Sequence, residues 1–172
     1  KLPKIKKQDP IKAQRKVLKK LLTKSQFTAF GEYYQFERIL KSPHFEDIFR
    51  KEVPIYDYNK IHNEWWYRTL LGEPDVTWPG RVKYFALSSG TSEASSKYIP
   101  VTKDMLKAIQ KTSIRTMLSL ANFNIPDDFF SHKILMLGGS THLQYNGTYY
   151  AGDLSGITTG NIPFWFQFYY KP

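Results

Sequence analysis

The 172-residue chain is 41% hydrophobic and 16% aromatic, enough to bury a core in one domain or two small ones and too much for generic disorder. It has no cysteine, which excludes disulfides and thiolate metal sites; its apolar runs, such as Ile134 to Leu137, are far too short to span a bilayer, and no signal peptide opens it, so a cytoplasmic location is expected. The formal charge of +10 points toward nucleic acid until its distribution is considered: residues 1–24 hold ten Lys or Arg against Asp9, a net of +9, while residues 25–172 net +1.

In the basic arm, Asp9 is placed to cap a helix that Pro10 starts, with Ile11, Val17, Leu18, Leu21 and Leu22 recurring at three- and four-residue steps. Residues 1–24 are therefore expected to form an amphipathic helix docked on the rest of the chain, its lysines outward. This reading is preferred to a dedicated nucleic-acid or membrane contact. "TAFGEYYQF" (28–36) reads as a short helical turn with Gly31 at a tight contact. Ser42 and Pro43 signal the start of another short helix over 43–51. "VPIYDY" (53–58) is extended, because the residue before a proline avoids the helical region. Asp57 then caps a helix carrying Tyr58, Ile61, Trp65 and Leu70, which Gly72 and Pro74 stop.

"EPDVTWPG" (73–80) is a turn-rich connection. "RVKYFAL" (81–87) has the pattern of a buried strand, and "KYIPV" (97–101) that of a second short one. Thr102 caps the longest helix, about 103–122, with Met105, Leu106, Ile109, Met117 and Leu120 on its inner stripe. "HKILMLGG" (132–139) is a core strand, and Asn146–Gly147 turns a hairpin. Helices outnumber strands and do not alternate with them regularly. The expected class is α/β of the mixed α+β kind, with a small mixed sheet carrying a strand-loop-strand segment. The last ten residues hold six aromatics, unlike a polar, frayed end. Together with the missing initiator Met, they suggest a truncated chain.

Between the two strands lies "LSSGTSEASSKYIPVT" (87–102), with seven Ser or Thr hydroxyls around one lysine. Anionic oxygens are held where backbone N–H groups converge, small residues permit close approach, hydroxyls add donors and a lysine adds charge. Ser88, Ser89, Gly90, Thr91 and Ser92 offer the first three features and Lys97 the fourth. The segment is not a Walker loop, since its lysine enters a strand instead of a helix. Composition alone leaves two readings, a polar linker and a phosphate cradle.

"FALSSGTSEASSKYIPVT" resembles the first nucleotide-binding motif of the auxin-responsive-promoter (Gretchen Hagen) family of acyl-acid amido synthetases, within the adenylate-forming superfamily. "TAFGEYYQF", "VPIYDY" and "LGEPDVTWPGRVKYFA" follow that family's order upstream, and "GGST", "GDLSGI" and "NIPFWFQFYYKP" do so downstream, so the likeness covers about residues 10–172. It implies that residues 25–172 are the N-terminal part of a large adenylation domain. It further implies that ATP, with Mg2+, activates a carboxylic acid as an acyl adenylate, and that the acyl group passes to an amine, an amino acid in characterised plant members. On that resemblance Ser88, Ser89, Gly90, Thr91 and Ser92 hold the ATP phosphates and Lys97 balances their charge. Ala94 stands where the family often has Gly, and Ser96 where it has Pro or a small residue; Ala94 reaches positive φ at a cost. The family's second and third motifs and its C-terminal domain have no counterpart, so the chain alone is expected to be inactive and the remainder of a parent chain is expected to complete the site.

Other constellations are weaker. His44, His62, His132 and His142 share no ligand spacing, and "HFED" (44–47) reads as a solvated helix face. Ser113 and Arg115 sit on the long helix, which packing explains as well as an acyl pocket does. Trp65 and Trp66 read as core anchors. The alternative to the ligase is a non-catalytic interaction module whose basic arm binds an acidic partner or nucleic acid; no membrane partner is expected.

Overall fold

A computed structural model describes residues 9–88, 96–126, 128–129, 132–135, 138–164 and 170–171. The chain forms two compact units that divide between Val82 and Lys83.

The first unit is helical. α1 (Pro10–Ser25) starts as expected: the Asp9 carboxylate accepts from the N–H groups of Ile11 and Lys12 at 2.9 and 3.3 Å. Four further elements follow, α2 (Ala29–Tyr33), α3 (Phe36–Lys41), α4 (Phe45–Glu52) and α5 (Tyr58–Ile61). α5 continues through a π-helical turn (His62–Trp66) into α6 (Tyr67–Leu70). The core joins Leu22 of α1, Phe36 and Ile39 of α3 and Phe45 of α4, with Leu18 and Phe30 packed against it. Burying each such side chain contributes ~1.5–3 kcal/mol. The α1 stripe is narrower than predicted: Leu18 and Leu22 face the core, whereas Ile11, Val17 and Leu21 are exposed.

The tight contact foreseen at Gly31 is real. A Cβ there would lie 2.0 Å from the carbonyl oxygen of Ser25, so α2 crosses the end of α1 at a distance that glycine alone permits. Thr28, 1% exposed, joins the two helices with one hydroxyl: Oγ1 donates to Ser25 O at 2.7 Å and accepts from Gly31 N at 3.1 Å. The turn-rich 73–80 segment completes this cap, because Ala29 N and Phe30 N donate to Asp75 O and Val76 O at 2.8 and 2.9 Å. Asp75 Oδ1 in turn accepts from Gly80 N at 2.7 Å, closing the turn.

Three departures from the sequence reading have local causes. Gln35 adopts a left-handed conformation (φ 51°) that breaks 28–36 and starts the unforeseen α3. Ser42 and Pro43 form a turn, with Ser42 Oγ accepting from His44 N at 3.1 Å, so α4 begins only at Phe45. The π turn brings Glu64 and Trp65 to Tyr56, whose hydroxyl donates to Glu64 Oε2 at 3.0 Å and accepts from Trp65 Nε1 at 3.2 Å. Tyr34 and Tyr56 share a hydrogen bond of 2.5 Å; with the Tyr56 proton on Glu64, Tyr34 is the donor. Asp57 caps α5 as expected, accepting from Lys60 N at 2.8 Å. α6 closes with Gly72 N donating to Thr69 O and Glu73 N to Arg68 O.

The second unit is built on a mixed sheet in the order β2 (Tyr98–Val101), β1 (Tyr84–Leu87), β5 (Tyr150–Gly152), β4 (Gln144–Tyr145). β1 runs antiparallel to β2 and parallel to β5, and β4 and β5 form the Asn146–Gly147 hairpin. A separate parallel pair joins β3 (Ile134–Leu135) to β6 (Tyr170–Lys171). α7 (Lys103–Ser119) starts at Thr102, whose Oγ1 accepts from Met105 N at 3.1 Å, and ends in a 3-10 turn, Leu120–Asn122. α8 (Leu154–Gly160) follows β5 directly. Ala86, Val101, Leu106 and Ile157 form the core of this unit. The class is the expected mixed α+β.

Candidate functional site

β1 is the central support of the candidate site. Its residues alternate across the sheet: Phe85 packs against Tyr149 at a ring separation of 4.8 Å, while Ala86 enters the core with Val101 and Ile157. The β1–β2 register pairs Phe85 with Pro100 and Leu87 with Tyr98. Pro100 has no N–H to donate, which suits β2, the outer strand of this sheet among the described residues.

The two strands that the sequence places on either side of the loop are thus present and paired antiparallel. The mouth of the loop is closed by Ser88 and Lys97: Ser88 N donates to Lys97 O at 3.1 Å, and Lys97 N donates to Ser88 Oγ at 3.2 Å. One backbone bond and one side-chain bond fix the two ends of the loop. Ser88 is half-buried, and Lys97, like Ser96, is exposed. Of the predicted phosphate ligands, Ser89, Gly90, Thr91 and Ser92 lie outside the described residues, as does Ala94. Among the described residues, no three His, Cys, Asp or Glu side chains gather in a metal-binding group.

Tyr149 is a residue of this frame that the sequence reading missed. Its ring stands edge-on to Phe85 and also to Tyr98, the latter at 6.1 Å, so it braces both strands that carry the loop. Burial raises its phenol pKa above the ordinary value, with the Coulombic effect of Tyr98 adding to the shift. The signal was present in "NGTYY": a hairpin turn followed by paired aromatics puts one ring on each face of the next strand.

β5, the parallel neighbour of β1, leads into α8 through Asp153. Asp153 holds the N-cap position but makes no side-chain cap; its carboxylate lies so close to Gly139 that a Cβ there would be 2.6 Å from Oδ2. Gly139 N donates to Ser155 Oγ at 2.8 Å. Gly156 sits where a Cβ would be 2.0 Å from Ser140 O, so "GGST" and "DLSGI" interlock by backbone approach. Asp153 packs against Gly139 at that contact. At the other end of β1, Lys83, Tyr84, His142, Leu143 and Tyr150 line an open bay of about 390 Å³, with the Lys83 ammonium 5.7 and 5.8 Å from the Tyr84 and Tyr150 rings.

The remaining candidates stand apart. Ser113 and Arg115 are exposed on α7, with Ser113 Oγ donating to Ile109 O at 3.0 Å. His44, His62 and His132 lie in separate local settings. Trp65 is buried as a core anchor, while Trp66 is half-buried.

The fold is that of the N-terminal domain of an acyl acid amido synthetase. The structure of the AtGH3.15 acyl acid amido synthetase in complex with 2,4-DB superimposes with a TM-score of 0.66 at 20% identity, covering 88% of this chain and 26% of that one. The GH3 family N-terminal domain matches residues 4–172, and the chain belongs to the GH3 family, the one that the loop and its neighbours resemble in sequence. No curated protein matches the chain.

Proposed function

We propose that this chain is the nucleotide-loop portion of an ATP-dependent acyl acid amido synthetase. A substrate carboxylate oxygen attacks the α-phosphorus of ATP, the bond to pyrophosphate breaks, and an acyl adenylate forms. An amine nitrogen then attacks the acyl carbon, AMP leaves, and the amine loses a proton. The observation that carries this reading is the Ser88–Lys97 closure inside a chain of the GH3 family. It holds the two ends of a hydroxyl-rich loop together and sets the lysine at the exit. Ser88, Ser89, Gly90, Thr91 and Ser92 supply hydrogen-bond donors to the phosphates, and Lys97 offsets charge that builds on the departing pyrophosphate. Mg2+, bound to those phosphates, supplies further charge neutralisation.

The chain spans about a quarter of the solved relative, and the adenine, ribose and acyl contacts are assigned to sequence beyond it. The product of the complete reading frame, incubated with ATP, amino acids and a panel of carboxylic acids, is expected to yield AMP and an amide detectable by mass spectrometry. AMP release that depends on no carboxylic acid in the panel would contradict the proposal.

A further inference from the structure

We propose that the lysine face of α1 is a docking surface for an acidic amphipathic helix of a partner protein. This is independent of the amide-forming reading. α1 contains six basic residues and, after its Asp9 cap, no acid. Arg15 serves the fold: it pairs with Glu46, donates to Pro43 O and lies 4.8 Å over the Phe45 ring. Lys12, Lys16, Lys19 and Lys20 do not. All four are exposed, none forms an ion pair among the described residues, and they occupy a sector ~100° wide at 3.6 residues per turn.

The neighbouring helices compensate their own charge, through Glu37–Lys41 in α3 and Asp47–Arg50 in α4. α1 instead sets like charges at i,i+4 in Lys12–Lys16–Lys20, an arrangement that destabilises a helix. Beside that row run Val17 and Leu21, 56% and 44% exposed, an aliphatic ridge at i,i+4 next to Lys16 and Lys20. A partner helix with a leucine stripe flanked by glutamates matches both features, as at the charged margins of coiled coils.

The same details disfavour other classes of partner. A phosphate backbone leaves Val17 and Leu21 without a counterpart, and the face presents neither arginine nor aromatic for base contact. A bilayer calls for a broad apolar face, but the Leu18–Leu22 stripe of α1 is already packed in the core.

The test is fluorescence anisotropy of the full chain with a labelled synthetic helix bearing one leucine stripe flanked by glutamates, at low and high salt. Binding is expected to weaken about tenfold in the double variant K16E/K20E, and to a similar degree when the peptide glutamates are replaced by glutamine. V17S/L21S should weaken it about threefold. Circular dichroism checks that each variant keeps its helices. Absence of binding, or equal binding by K16E/K20E, overturns the proposal. So does stronger association with phosphatidylserine vesicles or a nucleic-acid duplex that V17S/L21S leaves unchanged, which would assign the face to phosphate surfaces.

Discussion

Ser88 and Lys97 hold each other through two bonds of different kinds: the Ser88 amide donates to the Lys97 carbonyl, and the Lys97 amide donates to the Ser88 hydroxyl. Only the second depends on a side chain, and that side chain belongs to Ser88. Ser88→Ala is therefore expected to lower stability by ~0.5–1.5 kcal/mol and to speed hydrogen exchange at the Lys97 amide. Lys97→Ala keeps both bonds and should leave that exchange rate unchanged. Equal exchange in wild type and Ser88→Ala would show that the hydroxyl does not close the loop.

Gly31→Ala places a methyl 2.0 Å from Ser25 O, and the obstacle is backbone at a helix end, so α1 and α2 must separate. Overpacking of this kind costs ~1–3 kcal/mol and sometimes more. Denaturant unfolding followed by the fluorescence of Trp65 should show the midpoint falling with the slope preserved. A midpoint equal to wild type would mean that the helices do not cross at this distance.

Thr28→Val retains the shape of the side chain and removes both hydroxyl bonds, leaving Gly31 N without its capping acceptor in a buried position. The expected loss is ~1–3 kcal/mol. Thr28→Ser should recover most of it by thermal melting. If Thr28→Ser were as damaging as Thr28→Val, the methyl group and not the hydroxyl would be the stabilising part.

Alkaline pH should weaken the first unit. Burial, and after it the hydrogen bond to Tyr56, raises the Tyr34 pKa well above that of an ordinary phenol. The unfolded chain then releases this proton first, so the stabilisation is complete below the unfolded value of ~10 and is lost as pH rises beyond it. Tyr149, raised chiefly by burial, adds the same sign in the second unit. Melting temperature should be flat from neutral pH to ~9 and fall above ~10, less steeply in Tyr34→Phe. An identical slope in that variant would remove Tyr34 from the account.

Much of this frame was legible because local chemistry and tertiary packing agree. Asp9–Pro10, Asp57 and Thr102 are caps whose side chains make the expected bonds, and Asn146–Gly147 turns the predicted hairpin. Strands β1 and β2 showed themselves through their β patterns on either side of the hydroxyl-rich segment. α8 did not, since Leu154–Gly160 has two glycines and weak helix formers. It is helical because Gly156 admits the Ser140 carbonyl and Ile157 is fully buried, which only tertiary contact decides. α3 was hidden for the same reason: nothing in "YYQFER" marks Gln35 as left-handed. The partition of the α1 stripe into buried Leu22 and exposed Val17 and Leu21 depends on where α3 and α4 lie, information that periodicity does not carry.

The most direct test of the proposed function is ATP–pyrophosphate exchange by the complete protein, wild type against Lys97→Ala, with the panel of carboxylic acids. Exchange that requires an acid and falls about a hundredfold or more in Lys97→Ala, a loss of ~2.7 kcal/mol or more in transition-state stabilisation, is the predicted result. Exchange equally fast in Lys97→Ala, or absent with every acid, would contradict the assignment of this loop to ATP.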